Sequence, residues 1–395
     1  MKHTVWLLLV ALVALAAWWW LPSAAPAPQP QPEVQAPRFE APLARREAIG
    51  TLPVDVPTLA PQVLSKGVAP EIAAKNRAAL TALEAQQYDE AVQLLDECLV
   101  AAPGQAVLRH NLAEALWRRA HARDLGVVAQ LELSIADLTR AIELAPERTE
   151  IPPRRDEWRR RLDAQRDMWT DHSAHFSLSY DGSRSDLLAS YSSLLALLED
   201  AYGEYVTLFG IAPVESEGRP ISVVLYRKQD FRDATGIGHW AGGLYDGVVR
   251  VPVEDLSKER QALRRVLRHE LAHAFVARVA ANRAPGWLNE GLAMRLEDDD
   301  AAWRARVKDS GQRLRSLPRI TAAELGGSLA AIVGEDRVRA AYAVALVLLD
   351  EVVLAAGERA PYELLEAAAA GDLPAKLQRL TGVELEVLLE RVQTR

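Results

Sequence analysis

Cysteine is almost absent from this chain of 395 residues, in which Cys98 is the only one. The chain therefore has no intramolecular disulfide and no zinc site made of cysteine thiolates. Positive charge is not in excess either, because the formal net charge is −8 and no basic stretch is interspersed with aromatic residues. This balance argues against nucleic acid as a partner. The length allows about two or three domains of ordinary globular composition.

Long apolar runs without charge are also scarce, and the clearest extends from Val5 to Leu21. Its 17 residues are few for a membrane span and many for a signal-peptide core. Trp18–Trp20 close the run as an interfacial aromatic belt does. Small residues suited to signal peptidase follow, but prolines stand among them. We therefore expect residues 1–21 to be an uncleaved membrane anchor, with a cleaved signal as the alternative. Both place the protein outside the cytoplasm, anchored to the membrane or secreted to the periplasm.

Residues 22–70 are rich in proline, alanine and glutamine and show little periodicity. Such a composition cannot bury a core and favours extended polyproline geometry. We predict a linker that holds the folded part away from the membrane.

Helical periodicity begins at Glu71 and continues to about residue 168. The run from Tyr88 to Pro103 has the small-residue spacing of a second repeat helix and its closing turn, and a second copy begins at Asn111. Residues 71–168 resemble tetratricopeptide repeats in this spacing, with about nine extra residues around 118–126 and a capping helix that carries Trp158. The resemblance implies a groove for a peptide or partner protein; the alternative is a helical brace packed on the following domain. Cys98 is expected in the core.

From residue 169 onward the pattern is mixed. Period-two alternation predicts a strand at 175–180, apolar runs predict strands at 221–226 and 248–251, and a long helix is expected at 185–209. An edge strand at 248–251 would pair with an extended peptide through main-chain hydrogen bonds. His239, in a glycine-rich turn, is interpreted as a loop histidine rather than as a metal ligand. Helices are expected at 337–356, 360–370 and 373–392.

The motif His269-Glu270-Leu271-Ala272-His273 lies in an apolar, helix-patterned run. Helical pitch places residues four apart on one face, so both imidazoles project side by side. Two neutral histidine nitrogens in this arrangement suit Zn²⁺. Glu270 would flank the metal and take a proton from its water. Accidental occurrences of the motif would more often lie in polar surface helices, whereas here the flanking residues are those of a buried helix.

A catalytic zinc needs a third protein ligand, and Glu290 in Trp287-Leu288-Asn289-Glu290-Gly291 is the candidate at the start of a second helix. With these two motifs, residues from about 172 to 395 resemble the gluzincin peptidases, specifically the peptidase MA-like domains. The resemblance implies one zinc per chain, held by His269, His273 and Glu290, with Glu270 as general base. The exopeptidase motif Gly-Ala-Met-Glu-Asn of the related aminopeptidases is absent, which favours an endopeptidase.

The relatives also use a tyrosine to stabilise the oxyanion. Tyr342 has a similar separation from Glu290, and Tyr245 is a weaker candidate; a buried helix tyrosine is the alternative for Tyr342. Glu297 is a possible hydrogen-bond acceptor for a zinc histidine. The remaining acidic residues of the run 297–300 are interpreted, with it, as a solvated helix end. Trp287, Asn289 and Gly291 are interpreted as structural residues.

The sequence thus predicts an α+β protein, with helical repeats in residues 71–168 and a zincin-like domain in residues 169–395. That domain should contain a small mixed sheet, an active-site helix and a helical C-terminal half. The predicted function is zinc-dependent hydrolysis of protein or peptide in the cell envelope. The alternative is a non-catalytic envelope scaffold, in which the repeats bind a partner protein and a metal only stabilises the second domain.

Overall fold

The computed structural model describes Gln62 and residues 68–212, 220–236 and 242–394. All of them belong to one compact unit, residues 48–395. The predicted anchor, nearly all of the predicted linker, and His239 lie outside the described residues, so those predictions remain as stated.

Five helices form the first part of the described chain. They are α1 (Pro70–Glu84), α2 (Tyr88–Ala101), α3 (Ala106–His121), α4 (Val128–Leu144) and α5 (Ile151–Gln165). Small side chains such as Ala79 and Ala91 are fully buried, which lets paired helices approach closely. Cys98 is buried as expected, and Trp158 is buried on the fifth helix.

A small mixed sheet follows, and it confirms the α+β fold class. Its strands are β1 (Trp169–His172), β2 (Phe176–Tyr180), β3 (Ile221–Tyr226), β4 (Leu244–Tyr245) and β5 (Val249–Pro252). The strand order is β1-β2-β3-β5-β4. β2, β3 and β5 are parallel, whereas β1 and β4 run antiparallel to their neighbours. The three predicted strands are present, and β1 and β4 are additional.

The prediction that residues 248–251 form an edge strand is wrong. β5 lies between β3 and β4, and the edge is β4, in which Leu244 pairs with Arg250 and Tyr245 with Val249. The chain turns back directly after β4 and pairs with itself. A strand of two residues is too short for alternation to reveal it in the sequence.

The two faces of the sheet are covered by different parts of the chain. On β3, Val223 and Leu225 belong to the core shared with the C-terminal helices. Val224 and Tyr226 point the other way, into the core of the repeat helices. This alternation is the period of two expected of a strand buried on both faces. The helices α1–α5 therefore pack against this face of the sheet, as the alternative of a helical brace predicts.

The loop between α3 and α4, where the sequence predicts extra residues, makes part of this contact. A Cβ atom added to Gly126 would lie 2.4 Å from the Ser222 Cβ of β3, so only glycine permits the approach. The Ser222 hydroxyl donates to Asp124 across 2.7 Å. The extra loop between α3 and α4 therefore has a structural role at the sheet.

A buried polar network joins the brace to the β4–β5 hairpin. Arg161 on α5 forms an ion pair with Asp246 at 2.7 Å, and Arg250 donates to the same carboxylate at 3.1 Å. Arg250 also donates to the Tyr226 hydroxyl, which accepts a second hydrogen bond from Gln165 of α5. The fully buried Arg250 is thus compensated, as a buried charge must be.

The remaining elements are helical. They are α6 (Ser185–Leu188), α7 (Tyr191–Phe209), α8 (Lys228–Thr235), α9 (Leu256–Val279), α10 (Gly286–Leu296), α11 (Asp300–Arg313), α12 (Ala322–Gly326), α13 (Glu335–Ala356), α14 (Ala360–Ala370), α15 (Leu373–Thr381) and α16 (Leu385–Thr394), with short 3₁₀ turns at Leu314–Ser316 and Leu329–Ala331. The single helix predicted at 185–209 is wrong, because it breaks at Ala189–Ser190. The helix predicted at 373–392 breaks at Gly382, whose φ is +75°, a value that glycine adopts without strain.

Among the described residues, no single helix is long and apolar enough to cross a membrane. The pair Glu335–Ala356 and Ala360–Ala370, bent by 106°, meets the length and composition criteria together. Many residues of both helices are buried in the core of the protein.

Candidate metal centre

The helix α9 presents the two histidines of the motif. Asp255 caps its N-terminus by accepting from the Ser257 main-chain N–H, and a buried stripe holds the helix to the core: Leu263, Leu267, Leu271 and Phe275. His269 and His273 project from another side, with ring centroids 4.8 Å apart. Their side chains are 16% and 11% exposed. The predicted one-face arrangement of the imidazoles is therefore present.

The next helix, α10, brings Glu290 to the same place. The turn between α9 and α10 contains Ala281 and Asn282, both with positive φ, and it reverses the chain within a few residues. Glu290 Oε2 lies 3.4 Å from His269 Nε2 and 3.7 Å from His273 Nε2. The ligand atoms of the three residues all lie within 4.8 Å of one another.

Both imidazoles make hydrogen bonds that suit the neutral tautomer that a metal requires. Nδ1 of His269 donates to Glu297 at 2.9 Å, and Nδ1 of His273 donates to Asn289 Oδ1 at 2.9 Å. An oxygen acceptor on Nδ1 leaves the lone pair on Nε2, which faces Glu290. Such partners orient metal-binding histidines and raise their basicity.

These residues fit a zinc ion. Tetrahedral ligands about 2.1 Å from the metal are roughly 3.4 Å from one another, close to the separations between Glu290 and the two histidines. Glu290 Oε2 is buried and accepts no hydrogen bond from the described residues. A buried carboxylate oxygen without a partner is costly, and a cation between Glu290 and the imidazoles would compensate it.

Charge at the site also favours a cation. Burial alone would lower the pKa of His269, but the neighbouring carboxylates of Glu290 and Glu297 outweigh it and raise that pKa to about 10 in the metal-free protein. Burial lowers the pKa of His273. The pKa of Glu290 and that of Glu297 would be raised by burial, yet the neighbouring histidines lower both. The site thus concentrates negative charge around two imidazoles.

Glu270 lies beside this group and is only 5% exposed. Its burial raises the pKa of the carboxyl to about 8 in the metal-free protein. The residue Gly243, just before β4, lies directly against it, because a Cβ atom added there would be 2.6 Å from Glu270 Oε1. The edge strand therefore starts at the candidate general base.

The two candidate tyrosines differ in their surroundings. Burial raises the pKa of Tyr342 on α13, and the Glu290 and Glu270 carboxylates raise it further. Burial also raises the pKa of Tyr245, but the carboxylates that add to it are Asp246 and Asp124. Tyr342 is therefore the tyrosine within electrostatic reach of the metal-site acids.

The interpretation of residues 297–300 as a solvated helix end is wrong for Glu297 and Asp298, whose side chains are 10% and 14% exposed. Arg265 from α9 and Arg306 from α11 pair with both. These arginines come from separate helices, so local sequence does not indicate the burial. The possible role of Glu297 as a histidine acceptor agrees with its contact to His269.

The interpretation of Asn289 as purely structural is also incomplete, since its side chain accepts from His273. The sequence signal for this role was the position of Asn289 directly before the candidate ligand Glu290. Trp287 is buried as expected. A Cβ atom added to Gly291 would lie 3.0 Å from the Ala345 carbonyl of α13, so the expected close approach of two helices is present.

Comparisons with family models, with curated proteins and with solved structures find no match for this chain. The gluzincin resemblance therefore rests on the two helical motifs and on the geometry around them.

Proposed function

We propose that this protein is a zinc-dependent peptidase with Glu270 as its general base. The observation that carries the proposal is the convergence of ligand atoms from His269, His273 and Glu290 beside the buried carboxylate of Glu270. Structural zinc sites are usually closed by four protein ligands, whereas three protein ligands leave a position for water and substrate. A general base next to three ligands is the arrangement that hydrolysis needs.

Zinc, when bound, supplies a Lewis acid that lowers the pKa of a coordinated water and polarises the scissile carbonyl. Glu270 accepts the proton of the attacking water and passes it to the leaving amine. Its burial against Gly243 raises the proton affinity of the carboxylate in the metal-free protein, and a carboxylate of raised proton affinity is the stronger base when it is ionised.

Two further groups complete the proposed site. The Tyr342 hydroxyl donates a hydrogen bond to the oxyanion that develops during attack; the support is its electrostatic proximity to Glu270 and Glu290. β4 is the edge strand on the side of the metal site, and β1 is the other edge, so the outer main-chain groups of β4 suit pairing with an extended peptide. This binding mode favours internal bonds of a peptide chain. The location in the cell envelope rests on the sequence of residues 1–21.

The test measures zinc content and hydrolysis on the same samples. Full-length protein in detergent is loaded with zinc, and its cleavage of denatured casein and of a quenched-fluorescent peptide mixture is followed. Glu270→Gln should keep one zinc per chain and lose hydrolysis by at least roughly a hundredfold. Glu259→Gln, on the same helix but in an exposed ion pair with Lys228, is the matched control and should stay active.

A second pair of variants tests the oxyanion role. Tyr342→Phe should lower kcat by roughly a hundredfold with zinc unchanged, whereas Tyr245→Phe should have a small effect. Wild-type protein that binds no stoichiometric zinc would contradict the metal site. Stoichiometric zinc without cleavage of either substrate would favour the non-catalytic scaffold.

A further inference from the structure

Two asparagines occupy equivalent places in consecutive repeats. Asn76 on α1 and Asn111 on α3 are separated by 35 residues, and Asn111 Nδ2 donates to Asn76 Oδ1 across 3.1 Å. The separation is close to one tetratricopeptide-type repeat, so each lies on the first helix of its repeat. Both side chains are essentially inaccessible to solvent. Buried side-chain amides need hydrogen-bond partners, and the single hydrogen bond between Asn76 and Asn111 leaves other polar atoms of both amides to be paired.

The main chain of Gln62 supplies more of it. The Gln62 N–H donates to Asn111 Oδ1 at 2.8 Å, and Asn111 Nδ2 donates to the Gln62 carbonyl at 2.8 Å. One asparagine amide therefore binds both main-chain groups of a single residue. Gln62 itself is exposed, and neither bond involves its side chain. Recognition of this kind depends on main-chain groups rather than on a particular side chain.

The pair has a further donor to offer. Asn76 Nδ2 is buried and has no hydrogen-bond partner among the described residues. Because Asn76 Oδ1 already accepts from Asn111, the remaining donor is suited to a carbonyl oxygen. A main-chain carbonyl of a segment that passes over both helices would provide one.

We propose that Asn76 and Asn111, the asparagine pair, form a main-chain binding site of the repeat helices, and that its occupant is this chain's own segment at Gln62. The site is separate from the proposed zinc centre and does not depend on its activity. It fixes the main chain of Gln62 to these helices eight residues before α1 begins.

The test uses trypsin cleavage after Lys66, four residues beyond Gln62, in the full-length chain in detergent. Gln62→Pro removes the N–H donor without changing the repeat core, and Gln62→Ala keeps both main-chain groups. Since one hydrogen bond contributes roughly a fivefold factor, Gln62→Pro should be cleaved roughly five times faster than wild type. Gln62→Ala should be cleaved at the wild-type rate. Equal rates for Gln62→Pro and Gln62→Ala would overturn the proposal.

Asn111→Leu removes both hydrogen bonds to Gln62, so cleavage after Lys66 in this variant should be accelerated roughly tenfold or more. Because Asn111 is buried, hydrogen exchange at the Gln62 amide in wild-type protein provides a measurement that does not depend on a core variant. That amide should exchange more slowly than in an unfolded peptide of residues 57–67, and equal rates would contradict the site. If this protection is unchanged by hundredfold dilution, the bound Gln62 belongs to the same chain. If the protection is lost on dilution, the bound Gln62 belongs to a second copy, which would overturn the proposed occupant.

Discussion

The contact between Gly243 and Glu270 yields a sharp prediction about catalysis. A Cβ atom at position 243 would lie 2.6 Å from Glu270 Oε1 and 2.9 Å from Val266 Cγ1. At the neighbouring Gly242, an added Cβ atom would meet, among the described residues, only Val266, at 3.2 Å. Neither glycine has a positive φ, so alanine at either position introduces no backbone strain. Gly243→Ala and Gly242→Ala therefore form a matched pair that differs in contact with Glu270.

The expected size of the effect follows from the overlap. Heavy atoms in contact are normally about 3.5 Å apart, so Gly243→Ala must displace the Glu270 carboxylate or the start of β4 by roughly 1 Å. A displacement of about 1 Å at a catalytic group costs on the order of 10²-fold in rate. The strain of overpacking costs about 1–3 kcal/mol of folding stability. Gly242→Ala should stay within roughly threefold of the wild-type rate, because Val266 has only to shift slightly.

The assay compares kcat on the quenched-fluorescent peptide mixture, zinc content and thermal stability for both variants. Zinc content should remain at one per chain, because the three atoms nearest to the added methyl group belong to Glu270 and Val266 and not to a ligand. Equal activity of the two alanine variants would refute the inference that the edge strand positions Glu270. Loss of zinc from Gly243→Ala alone would show that the strand acts on the ligands instead.

Three further perturbations address the support of the site, the brace and the pH dependence. Glu297→Gln should weaken zinc affinity by about 10- to 100-fold because His269 loses its charged acceptor; competition with a chromophoric chelator measures this, and unchanged affinity would contradict it. Asp246→Asn leaves the buried Arg250 without its carboxylate, and Arg161 with Glu157 alone. The variant should lower the free energy of unfolding by about 3 kcal/mol in urea titration; a loss below about 1 kcal/mol would contradict the role of the network. Burial lowers the pKa of His121 to about 4. As the pH falls, this histidine is therefore protonated near pH 6.5 in the unfolded chain but only near pH 4 in the folded protein. The free energy of unfolding should therefore fall by about 3 kcal/mol between pH 6.5 and pH 4. His121→Phe should reduce the slope of the free energy of unfolding against pH; equal slopes in the variant and the wild type would refute the role of His121.

Secondary structure could be predicted where the pattern was long and local. The strand at Ile221–Tyr226 is a continuous apolar run, and its bounds agree with the prediction. β4 could not be predicted, because its two residues pair only after the chain has folded back. The break at Gly382 follows from a left-handed backbone that the surrounding helical periodicity concealed.

The candidate ligand set could be predicted from two local motifs. His269 and His273 had to share a helix face, since four residues make about one turn, and Glu290 followed from the second helical motif. The contacts of the acceptors Glu297 and Asn289 with the two histidines depend on how α9 and α10 pack. From the sequence, Glu297 was therefore only a possible acceptor, and Asn289 was interpreted as a structural residue.

The sequence by itself thus determined the chemistry of the candidate site, because metal ligands on one helix are fixed by residue type and helical pitch. Only the tertiary structure decided what supports that chemistry. The position of β4 at the edge, the close approach of Gly243 to Glu270 and the packing of the repeat helices on the sheet all join residues far apart in the chain. Such contacts depend on the complementary shapes of several elements at once, and local periodicity does not encode them.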